Sequence, residues 1–199
     1  MDPETRTKWE NFINPSVLKT RLIAASIYIA GYQSLREVII GRIRDFFWHG
    51  FNEKGDLIDP KYQSEVLSRN QSPLYASLDW LKSMNVIDDS DIKVFESVKC
   101  LRNDLAHKLL DVASVNGLPE DLDKRFKELA DLIYKIELWW VVNVEIATDP
   151  DLCSQDIDEK GILPGRLIGL QMLCDIALGS EEQSKRYQEE FQKLLKRGK

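Results

Sequence analysis

Histidine is scarce in this chain, cysteine is too sparse for a disulfide framework, and the apolar runs are short. There are two histidines, His49 and His107, and three cysteines, Cys100, Cys153 and Cys174. An odd, widely spaced set of three fits neither a disulfide ladder nor a zinc quartet, and a reducing, cytoplasmic setting is the simple expectation. The first residues, Met1 to Trp9, alternate charge and polarity and lack an apolar signal core. The run Leu22 to Tyr32 is apolar nearly all round, yet it is too short to span a bilayer and is bounded by Arg21 and Arg36. No membrane partner is expected. Positive charge is also in deficit: Lys and Arg total 27 against 33 Asp and Glu, a net charge of −6. That excludes a broad nucleic-acid surface while leaving room for a local basic patch. Strand-like alternation longer than a few residues is missing, as is an internal repeat.

What is present is helical periodicity. At 199 residues, 43% hydrophobic and 30% charged, the chain has the makeup of a soluble globular protein with a good core. We expect one domain over residues 1–199, an all-α helical bundle of about five to seven helices. From about Pro15 to Trp48, Leu18, Leu22, Ala25, Ile29, Tyr32, Leu35, Ile39, Ile43 and Phe46 recur at three and four. This reads as a central helix covered on two sides, capped by Ser16. Its arginines Arg36, Arg42 and Arg44 read as solvated surface rather than phosphate contacts. His49 and Gly50 end it, with His49 placed to interact with the helix dipole. Phe51 to Pro60 reads as loop, and Lys61 to Arg69 as a short helix.

Ser72-Pro73 opens a helix carrying Leu74, Leu78, Leu81 and Met84, with Trp80 as core or interface. Asp88-Asp89-Ser90 caps the next helix, which ends near Ser114. Capping is a commoner use of Asp88, Asp89 and Asp91 than metal binding. Pro119-Glu120-Asp121 starts another helix, with Leu122, Phe126, Leu129, Ile133, Ile136 and Trp140 as a heptad-like stripe. It should pack antiparallel on its predecessor, and Trp139 to Val142 are placed for a subunit contact. Asp149 to Lys160, with Asp151, Asp156, Asp158 and Glu159, is an acidic connector without calcium-loop spacing. Gly161, Gly165 and Gly169 recur every four, which allows close helix contact but makes no phosphate loop. Leu167, Leu170, Leu173 and Ile176 predict a buried helix. Ser180-Glu181-Glu182 opens a last one ending in Lys193, Lys196, Arg197 and Lys199, a basic end that suits its dipole.

One stretch pairs this periodicity with reactive groups. Val94, Val98, Leu101, Leu105 and Leu109 form one helix face. At about 100° per residue, Asn103 and His107 share a face roughly 160° from that stripe. Arg102 lies at the stripe's edge, roughly 140° around from His107. So His107 faces solvent or a partner. Two groups that point apart on one helix are more easily brought together when two such helices meet.

Arg102-Asn103, then three residues, then His107, on a helix behind an apolar run, resembles the signature of HEPN domains. An Arg five before a His arises by chance in roughly one such chain in ten, and Asn next to it lowers this below one in a hundred. The resemblance implies an all-α, HEPN-like fold and a metal-independent endoribonuclease with Arg102, Asn103 and His107 as site residues. It implies no cofactor, an RNA substrate, a homodimer through the motif helix, and an antitoxin or other defence partner protein, since such domains include toxins and phage-defence nucleases. Some family toxins carry a Tyr two residues after the His that a partner enzyme modifies. Leu109 stands there, so that control is not expected. The chemistry suits the residues. RNA carries its own nucleophile, imidazole exchanges protons near neutral pH, and a guanidinium fork stabilises charge on phosphate. No Ser elbow and no Cys beside a His compete. Two other readings stay open: a non-catalytic helical module binding a protein, and a nucleotide sensor using Arg102 with the first-helix arginines. Arg102 pairing with Asp104 or Glu96, with His107 as plain surface, is the structural alternative.

Overall fold

The computed structural model describes residues 1–155 and 157–197. The architecture is all-α, with one small hairpin. Helix α1 spans Pro3–Ile13 and α2 spans Pro15–Phe46. Each is started by a side chain that accepts backbone N–H groups and a proline in the first turn, where a missing N–H costs nothing. Asp2 Oδ1 accepts from Thr5 N at 2.9 Å, and Asn14 Oδ1 accepts from Ser16 N at 3.0 Å. The cap of α2 is therefore Asn14, two residues ahead of the expected Ser16. Proline at Pro15 leaves the preceding residue extended, the geometry a cap needs.

At 32 residues, α2 runs about 48 Å and forms the axis of the bundle. It buries Ala25, Tyr28, Tyr32, Leu35, Val38, Ile39 and Ile43 against α3 (Pro73–Ser83), α4 (Asp89–His107), α6 (Leu122–Trp140) and α7 (Gly165–Leu178). Each fully buried Leu or Ile contributes about 2 kcal/mol. Gly31 marks a close approach of α2 to α6 and α7. A Cβ there would sit 3.3 Å from Leu129 Cδ2 of α6 and 3.6 Å from Leu170 Cδ1 of α7. The glycines expected to serve this purpose, Gly161, Gly165 and Gly169, have open space around them instead.

Beyond α2 the chain differs from the expected loop. β1 (Trp48–Asn52) and β2 (Gly55–Ile58) pair antiparallel, Asn52 opposite Gly55. Gly50 and Gly55 hold positive φ, and Asn52 Oδ1 accepts from Lys54 N at 2.8 Å to close the turn. The helix stops at Phe46, so His49 lies on a strand. Its Nε2 sits 3.1 Å from Asp59 Oδ2 and it plays no part at a helix end. Lys61 to Arg69 form a π turn and a 3₁₀ turn rather than an α-helix.

Helix α4 ends at His107, short of the expected Ser114. Lys108 leaves helical geometry, and a three-residue turn α5 (Leu109–Asp111) and a π turn lead to Gly117. Arg21 closes this corner: its NH1 donates to the carbonyls of Ala113 and Ser114, each at 3.2 Å. α4 and α6 run antiparallel as expected. Asp91 at the start of α4 pairs with Lys135 near the end of α6, while Leu105 and Arg125 share a groove at the other end. Trp140 is core rather than subunit contact, stacked on buried Trp80 at 6.1 Å.

The last helices depart most from expectation. On α7 only Leu170 is buried, and Leu173 and Ile176 are 50% and 45% exposed. α8 (Glu181–Arg197) packs on α7 and presents Phe191, Leu194 and Leu195 outward. Within the acidic connector, Asp149 and Asp158 accept from backbone N–H groups two residues on. Asp156 and Lys199 lie outside the described residues.

Candidate functional site

Asp88 starts the motif helix with a reciprocal capping box. Its Oδ1 accepts from Ser90 N and Asp91 N, and Asp91 Oδ2 accepts from Asp88 N at 2.8 Å. Asp89 pairs with Lys82. The three carboxylates are thus absorbed by capping and two ion pairs, the second from Lys135 to Asp91, as the capping expectation has it. From two turns on, Phe95, Val98, Leu101 and Leu105 are buried, which fixes how the rest of α4 faces.

Arg102 is half-buried at the edge of that stripe. Its guanidinium carbon lies 5.0 Å from the centre of the Tyr32 ring, and NH1 donates to Asn103 Oδ1 at 2.9 Å. Among the described residues its Nε is buried without a hydrogen-bond partner. No carboxylate pairs with it: Glu96 accepts from the Tyr75 hydroxyl at 2.6 Å, and Asp104 pairs with Lys108 at 3.0 Å. The pairings offered by Asp104 and Glu96 in sequence are therefore not the ones formed. His107 ends α4 fully on the surface. Asn103 lies between them, oriented by Arg102. Five helical residues separate Arg102 from His107, about 7.5 Å along the axis and roughly 140° around it. Within one chain Arg102 and Asn103 meet, and His107 stands apart.

Around Arg102 the structure gathers residues that the motif does not name. Tyr32 stacks on Phe95 at 6.2 Å, and Tyr75 meets Phe95 edge-on at 6.3 Å. Lys99 Nζ lies 4.7 Å from the Tyr75 ring centre and donates to its hydroxyl. Burial pushes the Tyr32 hydroxyl above its ordinary pKa, while Arg102, Lys99 and Arg36 each pull it down. Tyr32 and Arg36 are four apart on α2, and Lys99 and Arg102 three apart on α4, so the signal was legible as two helical pairs. That the pairs face each other was not.

A groove of about 580 Å³ lies between α4 and the turn before α6. Leu101, Asp104, Lys108, Asp121 and Arg125 line it; Arg102, Asn103 and His107 do not. A second charged centre lies away from the motif. Glu137 on α6 is 2% exposed and receives Arg42 of α2, with Arg166 Nε 3.1 Å from its other oxygen, Oε1. Arg42 also pairs with Glu145 at 2.8 Å. Arg42 is thus an interior tie between helices rather than solvated surface. Comparison with protein-family models, curated proteins and solved structures finds no match to this chain.

Proposed function

We propose that the chain is a HEPN-type, metal-independent endoribonuclease acting through Arg102, Asn103 and His107. The observation that carries the reading is the state of Arg102: a guanidinium held against Tyr32 and Asn103, unpaired with any carboxylate among the described residues, on the same helix as an exposed imidazole. An arginine without an acid is free to meet an anion. His107 takes the proton from a 2′-hydroxyl, and the 2′-oxygen attacks the adjacent phosphorus. Arg102 stabilises the charge that builds on the phosphate oxygens. The bond from phosphorus to the 5′-oxygen breaks, and that oxygen leaves with the proton that His107 has taken up. The products are a 2′,3′-cyclic phosphate and a 5′-hydroxyl.

The test is incubation with mixed cellular RNA. Cleavage should persist in EDTA, leave cyclic phosphate ends, and vanish in His107→Ala. Loss in EDTA with rescue by magnesium would exclude the mechanism, and full activity in both Arg102→Ala and His107→Ala would exclude the site. A helical interaction module would give no cleavage and a stable protein partner on pull-down.

A further inference from the structure

We infer that Arg36 and Lys99, beside Arg102, form a cationic subsite that holds a backbone phosphate of single-stranded RNA next to the scissile one, which Arg102 meets. This rests on the ribonuclease reading of the motif helix, and it adds two residues outside the motif. The placement is set by aromatic packing. Tyr32 and Tyr75 flank Phe95, and each carries a cation on its ring, Arg102 on the first and Lys99 on the second. Arg36 stands one turn along α2 from Tyr32, and its NH1 donates a long hydrogen bond, 3.5 Å, to Gln33 Oε1. Among the described residues neither Arg36 nor Arg102 pairs with a carboxylate. Glu96 lies 3.9 Å from Lys99 Nζ, and Glu37 accepts from Gln33 Nε2, the side chain that Arg36 also touches. Elsewhere Arg42, Arg44, Arg69, Arg125 and Lys135 each hold an acid. In a chain of net charge −6, Arg102 and Lys99 on two rings that both touch Phe95, with Arg36 one helical turn from Tyr32, make a locally basic group. The buried Nε of Arg102, without a partner, gives that group a donor still to be satisfied.

A phosphodiester fits this chemistry: one negative charge, oxygens that accept from forked donors, and no need for a pocket. The test uses a labelled, uncleavable 2′-O-methyl single-stranded oligonucleotide read by fluorescence anisotropy, beside cleavage kinetics on the matching RNA. Arg36→Gln and Lys99→Gln should each weaken binding about 5- to 10-fold and lower the slope of log affinity against log salt by about 0.7. KM should rise by a similar factor with kcat within about 2-fold. Arg36→Lys should recover part of the loss. Lys124→Gln, which removes the same charge on the far side of α6, should change nothing, and thermal melts should coincide. Wild-type binding with these losses but without cleavage would keep the subsite and end the ribonuclease reading. Cleavage with unchanged affinity in both variants would overturn the subsite alone. Inorganic phosphate displacing the oligonucleotide at equal concentration would overturn an RNA-backbone role. No binding by the wild type would overturn it as well.

Discussion

Arg102 and His107 share a helix but answer to different surroundings, and their substitution should separate stability from chemistry. His107 is exposed, so His107→Ala should leave stability within about 0.5 kcal/mol while removing a proton-transfer step worth about 10²- to 10⁴-fold. Arg102→Lys keeps the charge and loses the planar fork that reaches phosphate while stacked on Tyr32. Activity should fall at least about tenfold, with a melt shifted by no more than the loss of about 1 kcal/mol that an exposed cation–π contact supplies. Equal activity in wild type and Arg102→Lys would show that a point charge suffices. A large fall in melting temperature for His107→Ala would show that its role is structural.

At the scale of elements, two carboxylates hold their charge in opposite ways. The Asp88 carboxyl is held at about 2, below its ordinary 3.8, by the Ser90 hydroxyl first and then the backbone N–H groups of Asp91 and Ser90. A group depressed on folding stabilises above its unfolded pKa and loses that contribution as pH falls toward the folded one. The start of α4 should therefore weaken between about pH 4 and pH 2. Asp88→Asn keeps an acceptor that does not titrate, so the melting gap between wild type and Asp88→Asn should narrow from pH 5 to pH 2. A constant gap would refute the cap's role. Glu137 is different, because it is buried and ties α2, α6 and α7 through Arg42 and Arg166. Glu137→Ala leaves Arg42 without its inner partner and should cost about 3 kcal/mol, lowering the melting temperature by roughly 6–12 °C for a chain of this size. Calorimetry that finds no shift would place the energy of that contact elsewhere.

At the scale of the whole molecule, the proposed site residues are split within one chain. Asn103 and His107 point away from their own core, and Arg102 is turned toward Tyr32. A self-complementary contact between two motif helices would bring Arg102 of one copy near His107 of the other. Mixed dimers of one Arg102→Ala chain and one His107→Ala chain should then recover roughly half of wild-type activity, since one composite site stays whole. A site complete within each chain predicts activity no better than the two dead homodimers. A wild-type protein that is monomeric at assay concentration yet fully active would sink the dimer proposal outright.

Sequence alone determined the all-α class, the central helix, the capped motif helix and the antiparallel α4–α6 pair. Those follow from local rules, since apolar spacing of three and four, a cap and a proline act within a few residues. It also placed His107 on a free face, because helix geometry sets direction without any partner. Tertiary structure decided what local rules do not reach. The Trp48–Ile58 hairpin is too short to leave an alternating pattern, and its two positive-φ glycines act only once the strands pair. Leu173 and Ile176 carry the pattern of a buried face, but no helix arrives to cover them. Arg42 reads as surface until Glu137, ninety-five residues away, folds onto it. The cluster around Tyr32 likewise exists only because α2 and α4 pack together, bringing Arg102 onto the Tyr32 ring. Charge and burial between distant segments depend on which faces meet, and that is a property of the packed chain.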